Sequence, residues 1–129
     1  MNPPNSTCEL GRQGEALAAT YLQNEGYQIL ERNYRFRHNE IDLIALDGST
    51  LCFVEVKARL SNKAGSPLDA VTVAKQREII RAAQAYLTFS GQECDGRFDV
   101  IGVNVHAMHE ARISSFTIEH IKDAFWVER

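Results

Sequence analysis

Two short runs constrain this chain more than anything else in it: residues 40–46 (EIDLIAL) and 51–57 (LCFVEVK), separated by a span that opens with Asp47-Gly48. Both are dense in the β-branched, aliphatic and aromatic residues that suit strands. Asp-Gly between them is a strong hairpin signal, with a loop that extends to Thr50 on the wider reading. Side chains alternate faces along a strand, so Glu55 and Lys57 point the same way, roughly 7 Å apart, and Val54 and Val56 take the opposite, core-facing side. Antiparallel pairing through the hairpin brings Asp42, thirteen residues earlier, alongside Glu55. Two carboxylates and an ammonium then share one spot among Ile, Leu, Phe and Val, which is costly unless something neutralises them. A hard divalent cation does so: Mg²⁺ (or Mn²⁺) takes carboxylate and carbonyl oxygens and keeps several waters. Asp42, Glu55 and the Val56 carbonyl are the expected ligands, with Lys57 orienting the attacking water and stabilising charge that grows on a phosphate. The plainer alternative is a surface hairpin with a cross-strand salt bridge, worth little.

The flanking segments read as a mixed α/β domain. Ser6-Thr7-Cys8-Glu9 has capping-box spacing, so a helix starts near Thr7. Its apolar stripe runs through Leu10, Gly14, Leu17, Ala18, Tyr21 and Leu22, and Gly26 stops it. Residues 27–33 form a first strand. Residues 61–65 are a polar loop, and Ser66-Pro67-Leu68-Asp69 reads as N-cap, Pro at the first helical position and an acid in the first turn. The helix that follows should end near Ser90-Gly91. Residues 97–105 (RFDVIGVNV) make a nearly continuous apolar run and hence a central strand. Residues 112–118 are expected as an edge strand and 118–126 as a short terminal helix. The order α-β-β-β-α-β, then a further strand and helix, predicts a central mixed sheet flanked by helices.

Both helices add polar residues to the picture. Glu15 lies at the edge of the first apolar stripe beside Gly11, Ala18 and Leu22, where it can approach the strands as a further metal ligand. Lys75 and Gln76 fall inside the apolar arc of the second helix, near Ile79 and Ile80, and are expected to line a site, snorkelling to the rim being the blander option. Arg35 and Arg37 flank Phe36, an arrangement suited to phosphate and base contact or simply to a solvated strand. Arg77, Arg81 and Gln84 fall on the polar face of the second helix and are expected to face solvent. His106-x-x-His109 lacks a third ligand for zinc and reads as a loop. There is no Gly-x-Ser-x-Gly, P-loop or GxGxxG, and Cys52 sits in an apparent core strand, so nucleophilic catalysis has no support.

Composition sets the class. At 129 residues the chain suits a single domain, 1–129, with one real core. Three widely spaced cysteines, Cys8, Cys52 and Cys94, fit a reduced cytoplasmic protein better than a disulfide scaffold. No apolar run suffices to span a bilayer, and the polar start lacks a secretory core. A net charge of −3 excludes a uniformly basic nucleic-acid glove. The charge is nevertheless sorted: residues 40–55 hold four acids and no base, whereas residues 56–81 hold six bases against two acids.

Several of these motifs occur together in one order: Gly11-x-x-Gly14-Glu15 with Ala18 and Tyr21-Leu22, Gly26-Tyr27, Arg32-Asn33, Glu40-Ile41-Asp42-Leu43-Ile44, Phe53-Val54-Glu55-Val56-Lys57-x-Arg59, Lys75 and Arg97-Phe98-Asp99-Val100. Over residues 9–105 the chain resembles the bacterial YraN family, an uncharacterised group predicted to have the restriction-endonuclease-like fold, with a core similar to archaeal Holliday-junction resolvases and other PD-(D/E)XK nucleases. The resemblance implies that Glu15 is the first-helix acid and that Asp42, Glu55 and Lys57 are the D…ExK set. Two departures stand out: Asn39 where the family usually has Gly, and Ile41 where the superfamily has Pro. Asn tolerates positive φ, so the turn should survive.

The expected function is therefore a Mg²⁺-dependent endonuclease of structured or branched DNA. Asp42, Glu55 and Glu15 would bind metal, Lys57 would position water, and Arg59, Lys75, Gln76, Arg35 and Arg37 would contact nucleic acid or hold the site. A C₂ homodimer would serve a cut on both strands. The alternatives are a non-catalytic nucleic-acid-binding module and a protein-interaction domain with a structural acidic cluster.

Overall fold

The structure is a computed structural model that describes residues 6–61, 65–92 and 95–126. Helix α1 (Ser6–Asn24) leads into three strands, β1 (Gln28–Phe36), β2 (Asn39–Asp47) and β3 (Thr50–Leu60). A 3₁₀ turn (Pro67–Ala70) precedes helix α2 (Val73–Ser90), and β4 (Gly96–His109) and β5 (Arg112–Ile121) complete the chain. The five strands form one open sheet in chain order, antiparallel except for β3 and β4, which run parallel. That parallel pair needs a crossover, and α2 provides it. Asp47 pairs with Thr50, so the Asp47-Gly48 hairpin has a two-residue loop.

The sheet separates two apolar layers. On one face α1 buries Ala18, Ala19 and Leu22 against Leu43, Val54, Val56 and Ile101. On the other, α2 buries Ile79, Ala82, Ala83 and Tyr86 against Ile44, Leu51, Phe53 and Val100. Two glycines set how closely the layers approach: a Cβ at Gly14 would stand 2.7 Å from Ala58 Cβ, and one at Gly102 would overlap the Pro67 ring. The first lets α1 lie directly on β3; the second seats the 3₁₀ turn on β4.

Three expectations change. Ser66 caps only the 3₁₀ turn, accepting from the Leu68 N–H, and α2 begins later with Thr72 accepting from the Lys75 N–H. Buried Val71, in extended backbone, separates the two, because Pro67 must reach Gly102 while α2 must cover the sheet. The His106-x-x-His109 segment is strand rather than loop, at the outer end of β4. The expected terminal helix over 118–126 is absent among the described residues: β5 pairs with β4 to Ile121, the chain turns at Asp123 with φ +57°, and buried Phe125 returns to stack on Phe98 at 5.0 Å. Core burial of one ring outweighs the weak drive of a short helix. Lys63 and Cys94, and the side chains of Ser6 and Thr7, lie outside the described residues. No helix among the described residues is long and apolar enough to cross a membrane.

Candidate functional site

The site is built on a fork in the sheet. The β2–β3 ladder runs from Asp47↔Thr50 to Leu43↔Val54 and stops. Beyond it Asn39, Glu40 and Ile41 stay with β1, while Glu55 to Leu60 stay with β4. Asp42 and Glu55, which simple register places opposite one another, stand where the strands separate. The Asp42 carboxylate enters the fork and its Oδ2 accepts the Val56 N–H at 2.8 Å. A backbone donor that loses its strand partner thus gains a side-chain acceptor, as a buried N–H requires.

The fork joins both faces of the sheet. Glu15 reaches it from α1 and Glu55 from β3 on the α2 side, and both carboxyl groups lie against that of Asp42. Burial, then the Asp42 charge, pushes Glu15 up to about 7. Glu55 is only 3% exposed. Burial, then hydrogen bonding and charge from Asp42, pushes it up to about 9 against the opposing pull of Lys75 and Lys57. Lys75 Nζ stands 3.8 Å from Glu55 Oε2, an ion-pair distance too long for a hydrogen bond, and 4.0 Å from Glu78. Glu55 Oε2 is buried without a hydrogen-bond partner. Among the described residues no group of three or more His, Cys, Asp or Glu side chains is placed so that it could hold a metal ion.

Asn33, which the sequence offers only as part of the Arg32-Asn33 motif, belongs to the site. It adopts φ +52° in mid-strand. Its amide nitrogen, turned toward the acids, donates to Glu15 Oε2 and Glu40 Oε1, each at 2.9 Å. An Asn inside a strand pattern, tolerant of left-handed backbone, is the signal that could have found it. Glu40 also pairs with Arg35 at 3.4 Å. A cleft of about 520 Å³ opens over this group, lined by Gly11, Arg12, Glu15, Asn33, Arg35 and Glu40, with exposed Cys8 at its edge.

The other expected contacts divide. Lys75 belongs to the acidic group. Gln76 Nε2 donates to the Val71 carbonyl, which fixes the junction between the 3₁₀ turn and α2. Arg59 is committed to the Asn104 side chain (3.1 Å) and the Gly65 carbonyl (2.6 Å), with Glu119 at 4.0 Å. Arg35 and Arg37 are exposed at the end of the β1–β2 hairpin, the Arg37 guanidinium lying 5.2 Å from the Phe36 ring centroid. Burial pushes the Cys52 thiol up to about 12, which removes it as a nucleophile.

A second buried acid, Asp99, offers a contrast. It is fully buried, yet it accepts from Arg97 Nε (2.9 Å) and Nη2 (3.0 Å), and from the Asp123 N–H (3.0 Å), and its Oδ2 stands 2.8 Å from His120 Nε2. Burial pushes its pKa up, but the bonds from His120, Arg97 and Asp123 more than offset that and hold it below the ordinary value. His120 Nδ1 in turn meets the Tyr21 hydroxyl at 3.1 Å.

Comparison with known proteins gives a family without an activity. The profile described as "Uncharacterised protein family UPF0102" matches residues 14–103. A UPF0102 protein of Chlorobium chlorochromatii is 98% identical over the full length of both chains. One from Chlorobium limicola is 60% identical over 92% of this chain and 93% of its own, and one from Geobacter sulfurreducens is 47% identical over 90% and 88%.

Proposed function

The chain belongs to the YraN family, uncharacterised protein family UPF0102, and from its carboxylate fork we propose a metal-dependent phosphodiesterase that cuts nucleic acid, most readily structured or branched DNA. The element order α1-β1-β2-β3-α2-β4 is compatible with the restriction-endonuclease-like core that the resemblance implies.

One observation carries the proposal: the buried Oε2 of Glu55, which has Lys75 at ion-pair distance but no hydrogen-bond partner. An unsatisfied buried polar group costs about 1–3 kcal/mol. The same chain satisfies Asp99 fully at equal depth, so its fold is capable of satisfying a buried acid. Glu55 is instead held against Asp42, beside two ammonium groups, with an oxygen left over. That donor set fits a divalent cation. Mg²⁺ uses one or two carboxylates and keeps its waters, so a closed three-acid cage is unnecessary.

Asp42 and Glu55 would hold the ion, with Glu15 adjoining. Bound there, the ion would supply Lewis-acid polarisation of a phosphate and a water of lowered pKa. Asp42 has a second task, since its Oδ2 fixes the Val56 N–H and thereby the direction of β3 at Glu55. Lys75 restrains Glu55 and offsets its charge. Lys57, two residues along the same strand face, presents an ammonium toward negative charge developing on the phosphate. Glu15, pushed up to about 7 and held by Asn33, is suited to take or give a proton near neutral pH.

The test is cleavage of four-way junction, splayed, duplex and single-stranded DNA in Mg²⁺ or Mn²⁺. Cutting by wild type and none by Asp42→Asn or Glu55→Gln is expected. Salt-dependent binding without cutting by any form would favour a binding module, and no binding at all would favour a protein-interaction domain.

A further inference from the structure

Away from the acids, the C-terminal end of α2 meets the tip of the β1–β2 hairpin in a groove of about 360 Å³, lined by Phe36, Arg81, Gln84, Ala85, Thr88 and Phe89. Phe89 is 74% exposed, the most exposed large apolar side chain of the described residues. Its ring centroid lies 6.1 Å from that of Phe36, and the planes are tilted by 55°, so a flat guest can enter beside either ring. The Arg37 guanidinium lies over the Phe36 ring. Arg81 makes no hydrogen bond or ion pair with a described residue. No carboxylate lines the groove, although the chain as a whole is acidic.

Resting on the nuclease reading above, we infer that this groove is a site for an unpaired nucleobase: Phe36 and Phe89 stack on the base, and Arg37 and Arg81 hold the phosphates on either side. Two rings, exposed Phe89 and half-buried Phe36, lie beside an Arg81 free of hydrogen bonds and ion pairs with described residues, and the Arg37 guanidinium covers one face of Phe36. They match the chemistry of single-strand binding, in which the ring supplies sequence-tolerant stacking and the cations follow the backbone. A base inside a duplex is stacked on its neighbours and has no free face to offer. A smaller depression of about 220 Å³ at the hairpin tip, lined by Arg35, Arg37, His38, Asn39 and Glu40, shares Arg35 and Glu40 with the cleft over Glu15. The groove itself lies on the α2 side, where Phe36 packs, and α2 relates it to the acids through Lys75. Along α2, Lys75 and Phe89 are fourteen residues apart, roughly 21 Å. This is about six base steps at duplex spacing. The substrate class this selects is DNA with a single-stranded arm several nucleotides from the cut.

The experiment measures binding of the full chain without divalent metal, by fluorescence anisotropy, to an oligothymidylate of about 12 nucleotides, to the same backbone lacking bases and to a blunt duplex. Phe89→Ala should weaken oligothymidylate binding by about 5- to 150-fold and leave duplex and abasic binding within twofold. Phe89→Trp should restore it, and Arg81→Gln should weaken both single-stranded probes. Both phenylalanine variants sit at an exposed position, so folding is not at issue, and circular dichroism checks it. Unchanged oligothymidylate affinity in Phe89→Ala overturns the inference. So does a change in sedimentation coefficient without a change in affinity, which would assign the groove to a second copy of the chain. The nuclease reading fails separately: base-dependent binding with no cleavage by wild type in any metal keeps the groove and removes the reaction.

Discussion

The Val56 N–H donates to Asp42 Oδ2 at 2.8 Å across the gap where β2 and β3 part company. That bond makes Asp42 structural as well as chemical, and it separates two substitutions that otherwise look alike. Asp42→Asn keeps an acceptor for Val56 but removes the charge that pushes Glu15 and Glu55 up. Asp42→Ala removes both. Thermal melts should show Asp42→Ala about 1–3 kcal/mol less stable than Asp42→Asn, with DNA cleavage lost in each. Equal stability of the two would remove the structural role.

Glu55 makes stability depend on pH. Its folded-state pKa, about 9, lies above the ordinary 4.5, so between these values the folded chain binds the extra proton and stability falls as pH rises. Urea melts without divalent metal should weaken from pH 5 to pH 9. Glu55→Gln should stabilise the metal-free chain and flatten that slope above pH 7, while Glu15, pushed up to about 7, keeps part of it below. An unchanged slope between pH 7 and pH 9 in Glu55→Gln would place its origin elsewhere.

Divalent metal should reverse the penalty. At tenfold over its dissociation constant, Mg²⁺ bound only by the folded chain adds about 1.4 kcal/mol. The melting temperature should rise with Mg²⁺ or Mn²⁺ in wild type and stay constant in Glu55→Gln. An equal rise in both would show that the ion acts away from Glu55.

Asn33 acts through Glu15. Its amide hydrogen bond lowers the Glu15 pKa against the larger effect of burial. Asn33→Gly keeps the left-handed backbone and removes the amide, so a pH–rate limb set by Glu15 near 7 should move upward. Cutting at high pH should survive. An unmoved limb would detach Glu15 from that titration.

Gly14 sets how far α1 stands from β3. Gly14→Ala drives a methyl against Ala58 and should cost about 1–3 kcal/mol while lifting the neighbouring Glu15 from the fork. Ala58→Gly in the same chain should restore both stability and cleavage, since Ala58 Cβ is the obstacle. Failure of that rescue would mean the contact is not what positions the helix.

Much of this architecture is legible in local pattern. The Asp47-Gly48 hairpin, the strand character of its two arms and the helix stops at Gly26 and Gly91 follow from side-chain shape and backbone freedom over a few residues. Alternation along β3 fixes which side Glu55 and Lys57 share, and helical periodicity fixes that Lys75 faces inward. Other features are nonlocal. Residues 118–126 suit a short helix taken alone, but pairing with β4 and the place for Phe125 against Phe98 decide otherwise. Asn33 sits in an ordinary-looking strand until Glu15 and Glu40 arrive from α1 and β2.

The sequence by itself determined the alternating strands and therefore which acids and lysines are available to one another, because that periodicity is a property of the extended backbone. Only the tertiary structure decided that the β2–β3 ladder ends at Leu43 and Val54. Strand separation depends on what β1 and β4 offer as partners on either side, and no local pattern encodes it. The same holds for Asp99 and Glu55, two buried acids of similar sequence setting. One is satisfied by Arg97 on its own strand and by His120 and Asp123 from the end of β5 and the turn after it, and the other keeps an oxygen without a hydrogen bond.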